Sequence, residues 1–274
     1  MDALLPIFLP VVVLGGLGTV FGAVLGVAAK KFAVDKDERE EQILGILPGA
    51  NCGGCGFPGC SGFAAAVVSG EATTNGCAVG GSEVTALVAG IMGVEPEDAE
   101  RHVAFVRCSG GARSNRKYDY VGLDDCFSAL NAIGGGPLTC RFGCLGLGSC
   151  TRVCQFGALS LVNGVAKVNR EKCVGCMQCV ATCPKRLITK LPYSSETRVG
   201  CNSHARGAAV RKLCEAGCIG CGICVKNCPN DAIRVEDNLA IIDPAKCHNC
   251  GICVEKCPRH IIESVVSVRA EAKV

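Results

Sequence analysis

"CIGCGICVKNCP", at residues 218–229, decides the fold of the C-terminal part of this chain. It spaces four cysteines as C-x2-C-x2-C-x3-C before a proline, and "CHNCGICVEKCP" at residues 247–258 repeats that spacing. Zinc sites usually pair two C-x2-C units. A third cysteine two residues further on, with a fourth before proline, favours four-iron clusters over zinc.

The doubled run has the spacing of two-cluster bacterial ferredoxins, in which the fourth cysteine of each run binds the other cluster. The sequence therefore predicts one [4Fe-4S] cluster on Cys218, Cys221, Cys224 and Cys257, and another on Cys247, Cys250, Cys253 and Cys228. Between the runs, "AIRVEDNLAIID" predicts two short strands that turn at Asp237-Asn238.

A less regular copy of this unit covers residues 140–184. Its second half is Cys173-x2-Cys176-x2-Cys179-x3-Cys183-Pro184, but its first half is Cys140-x3-Cys144-x5-Cys150-x3-Cys154, followed by Gln155 instead of proline. By the same exchange rule we expect one cluster on Cys140, Cys144, Cys150 and Cys183, and another on Cys173, Cys176, Cys179 and Cys154. "GALSLVNGVAKVN" between the halves predicts a hairpin at Asn163-Gly164.

"CGGCGFPGC", at residues 52–60, suggests a fifth cluster. It supplies Cys52, Cys55 and Cys60, and Cys77 follows after a short predicted helix, "SGFAAAVVSGEA". The glycines let the backbone wrap a bulky cluster. Four cysteines would also suit zinc, but the ferredoxin-type runs elsewhere in the chain favour an iron–sulfur cluster. The prediction is thus about five [4Fe-4S] clusters, each held by four cysteines.

Four cysteines remain outside these groups: Cys108, Cys126, Cys201 and Cys214. The simpler hypothesis is that they are buried structural thiols, because free cysteine behaves as a small hydrophobic residue. The alternatives are a sixth site, a redox-linked pair, or exchange of Cys214 into the cluster of its neighbour Cys218.

Residues 7–29, "IFLPVVVLGGLGTVFGAVLGVAA", are long enough to cross a membrane. As a helix they would span about 34 Å. A cleaved signal peptide is the competing interpretation, but Met1-Asp2 carries no positive charge and the apolar run is long. Because lysines follow at 30, 31 and 36, the remainder of the chain is expected on the cytoplasmic side of the inner membrane. That reducing compartment argues against disulfides.

The composition fits a protein in which clusters replace part of the core. It includes 24 cysteines and 36 glycines, with only 4% aromatic residues and no tryptophan. Five clusters of charge about 2− would shift the formal charge of +3 to about −7, so nucleic-acid binding does not follow from the basic residues. These instead compensate buried negative charge or form a docking face for an acidic redox partner. The basic residues concerned are Lys185, Arg186, Lys190, Arg198, Arg206, Arg211 and Lys212.

The expected fold class is α+β, with one N-terminal transmembrane helix, a small helical iron–sulfur domain and two two-cluster ferredoxin-like modules in tandem. Residues 82–108 have helical character with a break at Pro96. The predicted domains are an anchor (1–30), a linker with an amphipathic segment (31–48), a four-iron cluster domain (49–108), a connecting segment (109–136), ferredoxin module 1 (137–192), a basic connector (193–213), ferredoxin module 2 (214–265) and a tail (266–274).

Three stretches carry a family likeness over nearly the whole chain. "GANCGGCGFPGCSGFA" follows the anchor, "GGPLTCRFGCLGLGSC" opens the first module and "VRKLCEAGCIGCGICVKNCP" opens the second. Together they resemble the B subunit of the Rnf complex, an ion-translocating ferredoxin:NAD⁺ oxidoreductase, and of its close paralogue Rsx. The second ferredoxin module and Gln155 depart from the short members of that family.

The resemblance implies an electron-transfer subunit that receives electrons from reduced ferredoxin. Other membrane subunits would reduce NAD⁺ and drive Na⁺ or H⁺ transport. We see no catalytic residue and no NAD or flavin motif on this chain. The alternatives are a polyferredoxin subunit of another membrane enzyme, such as a hydrogenase or formate dehydrogenase, and a zinc-stabilised interaction scaffold.

Overall fold

The computed structural model describes residues 5–31, 37–97 and 100–265. Helix α1 spans Leu5–Lys31. Its segment Val13–Lys31 is the one helix among the described residues long and apolar enough to cross a membrane. Large side chains along it stay exposed, Leu14 by 69% and Phe21 by 60%. The predicted N-terminal apolar helix is therefore confirmed, while Lys36 and the tail at 266–274 lie outside the described residues.

Three helices form the small N-terminal domain: α2 (Glu38–Ile46), α3 (Gly59–Val68) and α4 (Gly81–Met92). Asp37 caps α2 by accepting a hydrogen bond from the backbone N–H of Arg39. Helix α2 packs against both other helices, and Ile43, Phe63 and Val88 form the centre of the core. This domain holds the ligand loop at residues 52–60.

The helical expectation for residues 82–108 holds only for the first part of that stretch. Helix α4 ends at Met92 and is capped by Gly93, which adopts a left-handed conformation with φ of 67°. Strand β1 then runs over His102–Val106, where Val103, Phe105 and Val106 have high β-propensity. It pairs with a strand of module 1, so tertiary pairing decides its conformation.

Module 1 combines an outer strand pair with a hairpin. Strand β1 pairs antiparallel with β4 (Ile188–Pro192), and β2 (Leu159–Val162) pairs with β3 (Val165–Val168). The predicted turn is confirmed, since Asn163 and Gly164 have φ of 49° and 75°. Short helices α6 (Ser149–Val153) and α7 (Gln178–Thr182) carry cysteines, and α5 (Cys126–Asn131) precedes them.

Module 2 repeats the arrangement. Strand β5 (Thr197–Val199) pairs with β8 (Ile262–Ser264), and β6 (Ile233–Glu236) pairs with β7 (Leu239–Ile242) across the predicted Asp237-Asn238 turn. Its helices are α8 (Gly207–Leu213), α9 (Ile223–Lys226) and α10 (Ile252–Lys256). Each module thus takes its first outer strand from a segment that precedes the predicted start of that module.

Cysteine supplies much of the buried material in both modules. In module 2, six of the thirteen buried residues of the core cluster are cysteines, packed with Ile233, Leu239 and Ile261. Such a core contains few large side chains, as the low aromatic content predicts. The expected mixed helix-and-strand fold with two tandem ferredoxin-like modules is confirmed.

Candidate iron–sulfur cluster sites

All 24 cysteines lie among the described residues, and each has a free thiol. The structure gathers them into six groups of four, which we name sites A to F. Site A comprises Cys52, Cys55, Cys60 and Cys77; site B, Cys154, Cys173, Cys176 and Cys179; site C, Cys126, Cys144, Cys150 and Cys183. Site D comprises Cys108, Cys140, Cys201 and Cys214; site E, Cys218, Cys221, Cys224 and Cys257; site F, Cys228, Cys247, Cys250 and Cys253.

The sulfur arrangement suits clusters better than single ions. Among the described residues, no group of three or more His, Cys, Asp or Glu side chains is arranged to hold one metal ion. Zinc needs four sulfurs about 2.3 Å from one point. The cavities of sites A, C, E and F instead have empty volumes of about 370, 380, 360 and 310 Å³, counting their open mouths.

Sites E and F each contain the four cysteines that the sequence predicts, including the fourth cysteine exchanged between the two runs. Cys257 joins the run that begins at Cys218, and Cys228 joins the run that begins at Cys247. The backbone N–H of Ala232 donates to the Sγ of Cys228 at 3.3 Å. Such N–H···S bonds stabilise the charge of a bound cluster and tune its potential.

Site B also gathers its predicted set. The Cys179 thiol lies beside Cys173, Cys176 and Cys154, and burial together with these neighbours raises its pKa to about 12. The N–H of Ala158 donates to Cys154, and that of Ala104, on β1, donates to Cys173, both at 3.4 Å.

Site A forms at the start of α3. Asn51 holds the ligand loop by accepting a hydrogen bond from the N–H of Cys60 at 2.8 Å. Gly59 adopts φ of +84°, and a Cβ there would lie 2.9 Å from the Asn51 side-chain oxygen. Glycine is therefore required for the loop to close, as the glycine content of residues 52–60 suggests.

Site C departs from the predicted grouping. Cys144, Cys150 and Cys183 share a cavity with Cys126, whereas Cys140 lines the cavity of site D, which Cys144 also borders. The reason is visible in the repeat: residues 144–150, "CLGLGSC", align without a gap on residues 218–224, "CIGCGIC". Leu147 thus occupies the position of Cys221, and Cys126 supplies the missing sulfur from outside the run.

A polar clamp holds Cys126 in this place. The N–H of Cys126 donates to Ser149 Oγ, and Ser149 Oγ donates to Asp125, both at 2.8 Å. Asp125 also caps α5 by accepting a hydrogen bond from the N–H of Ser128. Ser149 occupies the position that Ile223 has in module 2. Site C therefore differs from site E both in one ligand, Cys126, and in the residue that anchors that ligand.

Burial opposes ionisation of the most enclosed thiols. It raises the pKa of Cys150 to about 12 and that of Cys253 to about 11, with further increases from neighbouring cysteines. A cation must therefore offset both desolvation and mutual repulsion before these sulfurs become thiolates. The positive iron of a cluster meets that need.

The basic residues near the modules do not form one face. Arg198 is only 8% exposed, and its guanidinium lies 4.8 Å from the centre of the Phe105 ring. Lys185 is partly buried, and burial lowers its pKa against the opposing effect of Cys140 and Cys144. Lys190 and Arg206 are exposed. Buried Arg198 and partly buried Lys185 favour charge compensation, so a docking face can include only the exposed cations.

Three family profiles match the chain. "Putative Fe-S cluster" matches residues 47–79, and "4Fe-4S dicluster domain" profiles match residues 142–188 and 217–263. These matches support [4Fe-4S] clusters in the N-terminal domain and in both modules.

Curated relatives cover most of the chain. It is 46% identical over 239 residues to the B subunit of the Na⁺-translocating ferredoxin:NAD⁺ oxidoreductase complex of Acetobacterium woodii, covering 86% of this chain and 72% of that protein. It is 44% identical to the B subunit of the ion-translocating oxidoreductase complex of Methanosarcina acetivorans, covering 86% of this chain and 90% of that protein. The chain belongs to the family of B subunits of Rnf-type ion-translocating oxidoreductase complexes, and it is an electron-relay component of such a complex.

Proposed function

We propose that this chain is a membrane-anchored electron-transfer subunit. It would accept electrons from reduced ferredoxin and pass them through [4Fe-4S] clusters to the other subunits of its complex. Those subunits reduce NAD⁺ and use the released energy to transport Na⁺ or H⁺. One observation carries the proposal: neighbouring cysteine sites lie beside one another, A beside B and B beside C in one part of the chain, and E beside F in the other.

The contacts from site A to site C illustrate this arrangement. Gln178, beside site B, donates a hydrogen bond to the backbone carbonyl of Cys52 in site A. The thiols of Cys176 and Cys52 are close enough to repel each other as thiolates, as are those of Cys179 in site B and Cys150 in site C. At the far end, Cys253 of site F repels Cys224 of site E in the same way.

When bound, each [4Fe-4S] cluster accepts and releases one electron, at a potential set by charge, hydrogen bonds and solvent access. The chain supplies those influences through its thiolates, its N–H···S bonds and buried cations such as Arg198. No proton donor or nucleophile is needed for this role.

The exposure of the ligands supports entry at module 2. Cys221 in site E and Cys250 in site F are the two exposed cysteines of the 24. A soluble donor can approach these sites closely. Site A lies at the other end, in the domain that follows helix α1, and suits delivery to the membrane subunits. The lysines at the end of α1 support a cytoplasmic position for all the sites.

Helix α1 offers an interaction face as well as an anchor. Gly18, Gly22 and Gly26 repeat at four-residue spacing, and nothing lies within 4 Å of a Cβ built on any of them. Small residues at this spacing let membrane helices approach closely. This face therefore suits a transmembrane helix of another subunit of the complex.

The test is reduction of the purified, cluster-loaded chain by ferredoxin without oxygen. We expect stoichiometric reduced ferredoxin to bleach the visible absorbance of the chain, whereas NADH alone should not. Failure of ferredoxin to reduce a fully loaded chain would refute the proposed donor. Co-purification with flavin-bearing, NAD-reducing subunits would separate this function from that of a hydrogenase or formate dehydrogenase subunit.

A further inference from the structure

Site D is a cavity between the two modules, and none of its cysteines belongs to a ferredoxin run. Its four cysteines lie outside the three segments that the family profiles match, at residues 47–79, 142–188 and 217–263. The cavity has an empty volume of about 410 Å³, counting its mouth, against 310–380 Å³ for the cavities of sites A, C, E and F. It is thus large enough for the same kind of cluster.

The internal repeat supplies the four sulfurs as two equivalent pairs. Cys108 stands two residues after the end of β1, and Cys201 stands two residues after the end of β5. Cys140 precedes Cys144 by the same four positions that separate Cys214 from Cys218. Each module therefore contributes one cysteine from its outer strand and one from the approach to its first ligand run.

The hydrogen bonds to these sulfurs repeat as well. The N–H of Cys144 donates to the Sγ of Cys108 at 3.4 Å, and the equivalent N–H of Cys218 donates to the Sγ of Cys201 at 3.3 Å. The other two sulfurs accept from the residue two positions later in the chain. The N–H of Phe142 donates to Cys140, and the N–H of Ala216 donates to Cys214. Every sulfur of site D thus accepts an N–H group, as expected of cluster ligands.

Ordinary packing does not explain this cavity. Protein interiors are close-packed, so four buried structural thiols would be expected to lie against other side chains, whereas these four line one common opening. At Gly110 a Cβ would lie only 3.2 Å from the Sγ of Cys214 and 3.6 Å from that of Cys108, so glycine keeps the space open. Arg107 lines the cavity, and its buried Nε has no hydrogen-bond partner among the described residues.

We propose that Cys108, Cys140, Cys201 and Cys214 bind a sixth [4Fe-4S] cluster. A single zinc ion does not fit, because these sulfurs do not converge on one point. A disulfide is not formed, since all four thiols are free. Arg107, whose buried Nε has no partner among the described residues, supplies a positive charge and a donor beside the cluster.

Site D then bridges the two modules. The N–H groups that reach its sulfurs from Cys144 and Cys218 belong to ligands of site C and site E respectively. An electron that leaves the cluster of site E would raise the oxidation state of that cluster by one and lower that of site D by one. A second transfer would then move the electron from site D to site C. This bridging role rests on the proposed function, whereas the cluster itself does not.

Native mass spectrometry of the full chain, prepared without oxygen, tests the proposal. We expect a highest loading of six clusters, or about 24 iron and 24 sulfide. Cys201→Ala and Cys140→Ala should each stop at five clusters, about 20 iron, and the retained five show that the variant has folded. Asn202→Ala, which changes a neighbour lining the same cavity, should keep six.

A highest loading of five in the wild-type chain, unchanged in Cys201→Ala, would overturn the sixth cluster, and so would zinc at this position. If both variants fail to fold, the wild-type loading still decides. Ferredoxin reduction separates the two proposals. A five-cluster chain that ferredoxin reduces would leave the proposed function intact, and a six-cluster chain that it does not reduce would leave site D intact.

Discussion

The contact between sites A and B can be tested by adding one methyl group at Gly54. This glycine faces the backbone of Cys176, and a Cβ built on it would lie 2.9 Å from the Cys176 carbonyl oxygen and 3.0 Å from its Cα. Gly54 has an ordinary negative φ, so Gly54→Ala adds steric bulk without straining its own backbone. The junction therefore has to open to accept the change.

The structure sets the size of the effect. Ordinary contacts begin at 3.4 Å, so the two ligand loops must separate by about 0.5 Å. Neither loop can yield easily, because both carry cluster ligands and the atoms in contact are backbone. Overpacking of this kind costs about 1–3 kcal/mol. The equilibrium for docking the N-terminal domain on module 1 should therefore fall about fivefold to 150-fold.

Hydrogen exchange by mass spectrometry measures that equilibrium directly. Amides protected by the junction, in peptides covering residues 50–56 and 174–178, should exchange faster by the same factor, because their opening free energy falls by the same amount. Electron paramagnetic resonance of the reduced protein should show weaker coupling between the clusters of sites A and B.

Two further variants calibrate the result. Gln178→Ala removes the hydrogen bond to the Cys52 carbonyl and should accelerate the same peptides by a smaller factor, equivalent to about 0.5–1.5 kcal/mol. Gly45→Ala, at a helical glycine with nothing within 4 Å, should leave the junction unchanged. Unchanged exchange and coupling in Gly54→Ala would refute the direct contact of sites A and B.

The other predictions concern the polar clamp of site C, the core of the N-terminal domain and the metal dependence of the two modules. Ser149→Ala should release Cys126 and cause selective loss of the site C cluster on dilution, detected as loss of one cluster by native mass spectrometry; retention of all clusters would contradict the clamp. Hydrogen bonds from the N–H of Ser128 and from Ser149 lower the pKa of Asp125, so their stabilisation is present above the ordinary carboxyl pKa and is lost as pH falls through the lowered value. Asp125→Asn should weaken site C at neutral pH and flatten that acid dependence. Phe63→Ala should destabilise the N-terminal domain by about 3–5 kcal/mol, measured by hydrogen exchange, because Phe63 is 1% exposed. Val121→Ala, at a residue 95% exposed, should change stability by less than about 0.5 kcal/mol. Anaerobic chelation of iron should abolish the far-ultraviolet signal of both modules, because cysteines form so much of their cores; modules that stay folded without iron would refute this.

Local sequence patterns predict the regular parts of the molecule well. The exchange of fourth cysteines follows from the C-x2-C-x2-C-x3-C spacing, and the structure gathers sites B, E and F accordingly. The two hairpins follow from Asn163-Gly164 and Asp237-Asn238, because these residues accept the positive φ that tight turns require. Helix α2, which lies in the predicted amphipathic segment at 31–48, and the apolar helix α1 are likewise encoded within their own segments.

Patterns within one segment fail where the structure joins distant segments. Strand β1 is a strand because it pairs with β4, which lies more than eighty residues later in the chain. The sequence of residues 102–106 alone does not indicate that partner. Cys126 reaches site C through a clamp to Ser149. The internal repeat contains the useful signal. Cys140 precedes Cys144 by four positions, as Cys214 precedes Cys218, so Cys140 is equivalent to Cys214 and Cys144 to Cys218. Aligning on Cys144 instead of Cys140 restores the regular spacing and leaves Leu147 as the one substituted ligand.

The same alignment explains why a site between the modules is well suited to hold them together. Without a cluster, polar contacts beside site D include Glu263, which accepts hydrogen bonds from Ser109 and Lys167, each at 2.6 Å. The Lys167 side chain is 39% exposed, and such an ion pair contributes only about 0–1 kcal/mol. A cluster that takes two thiolates from each module makes metal binding and module docking one equilibrium. Because the two ligand pairs are equivalent, each repeat unit contributes one half of the site between the modules.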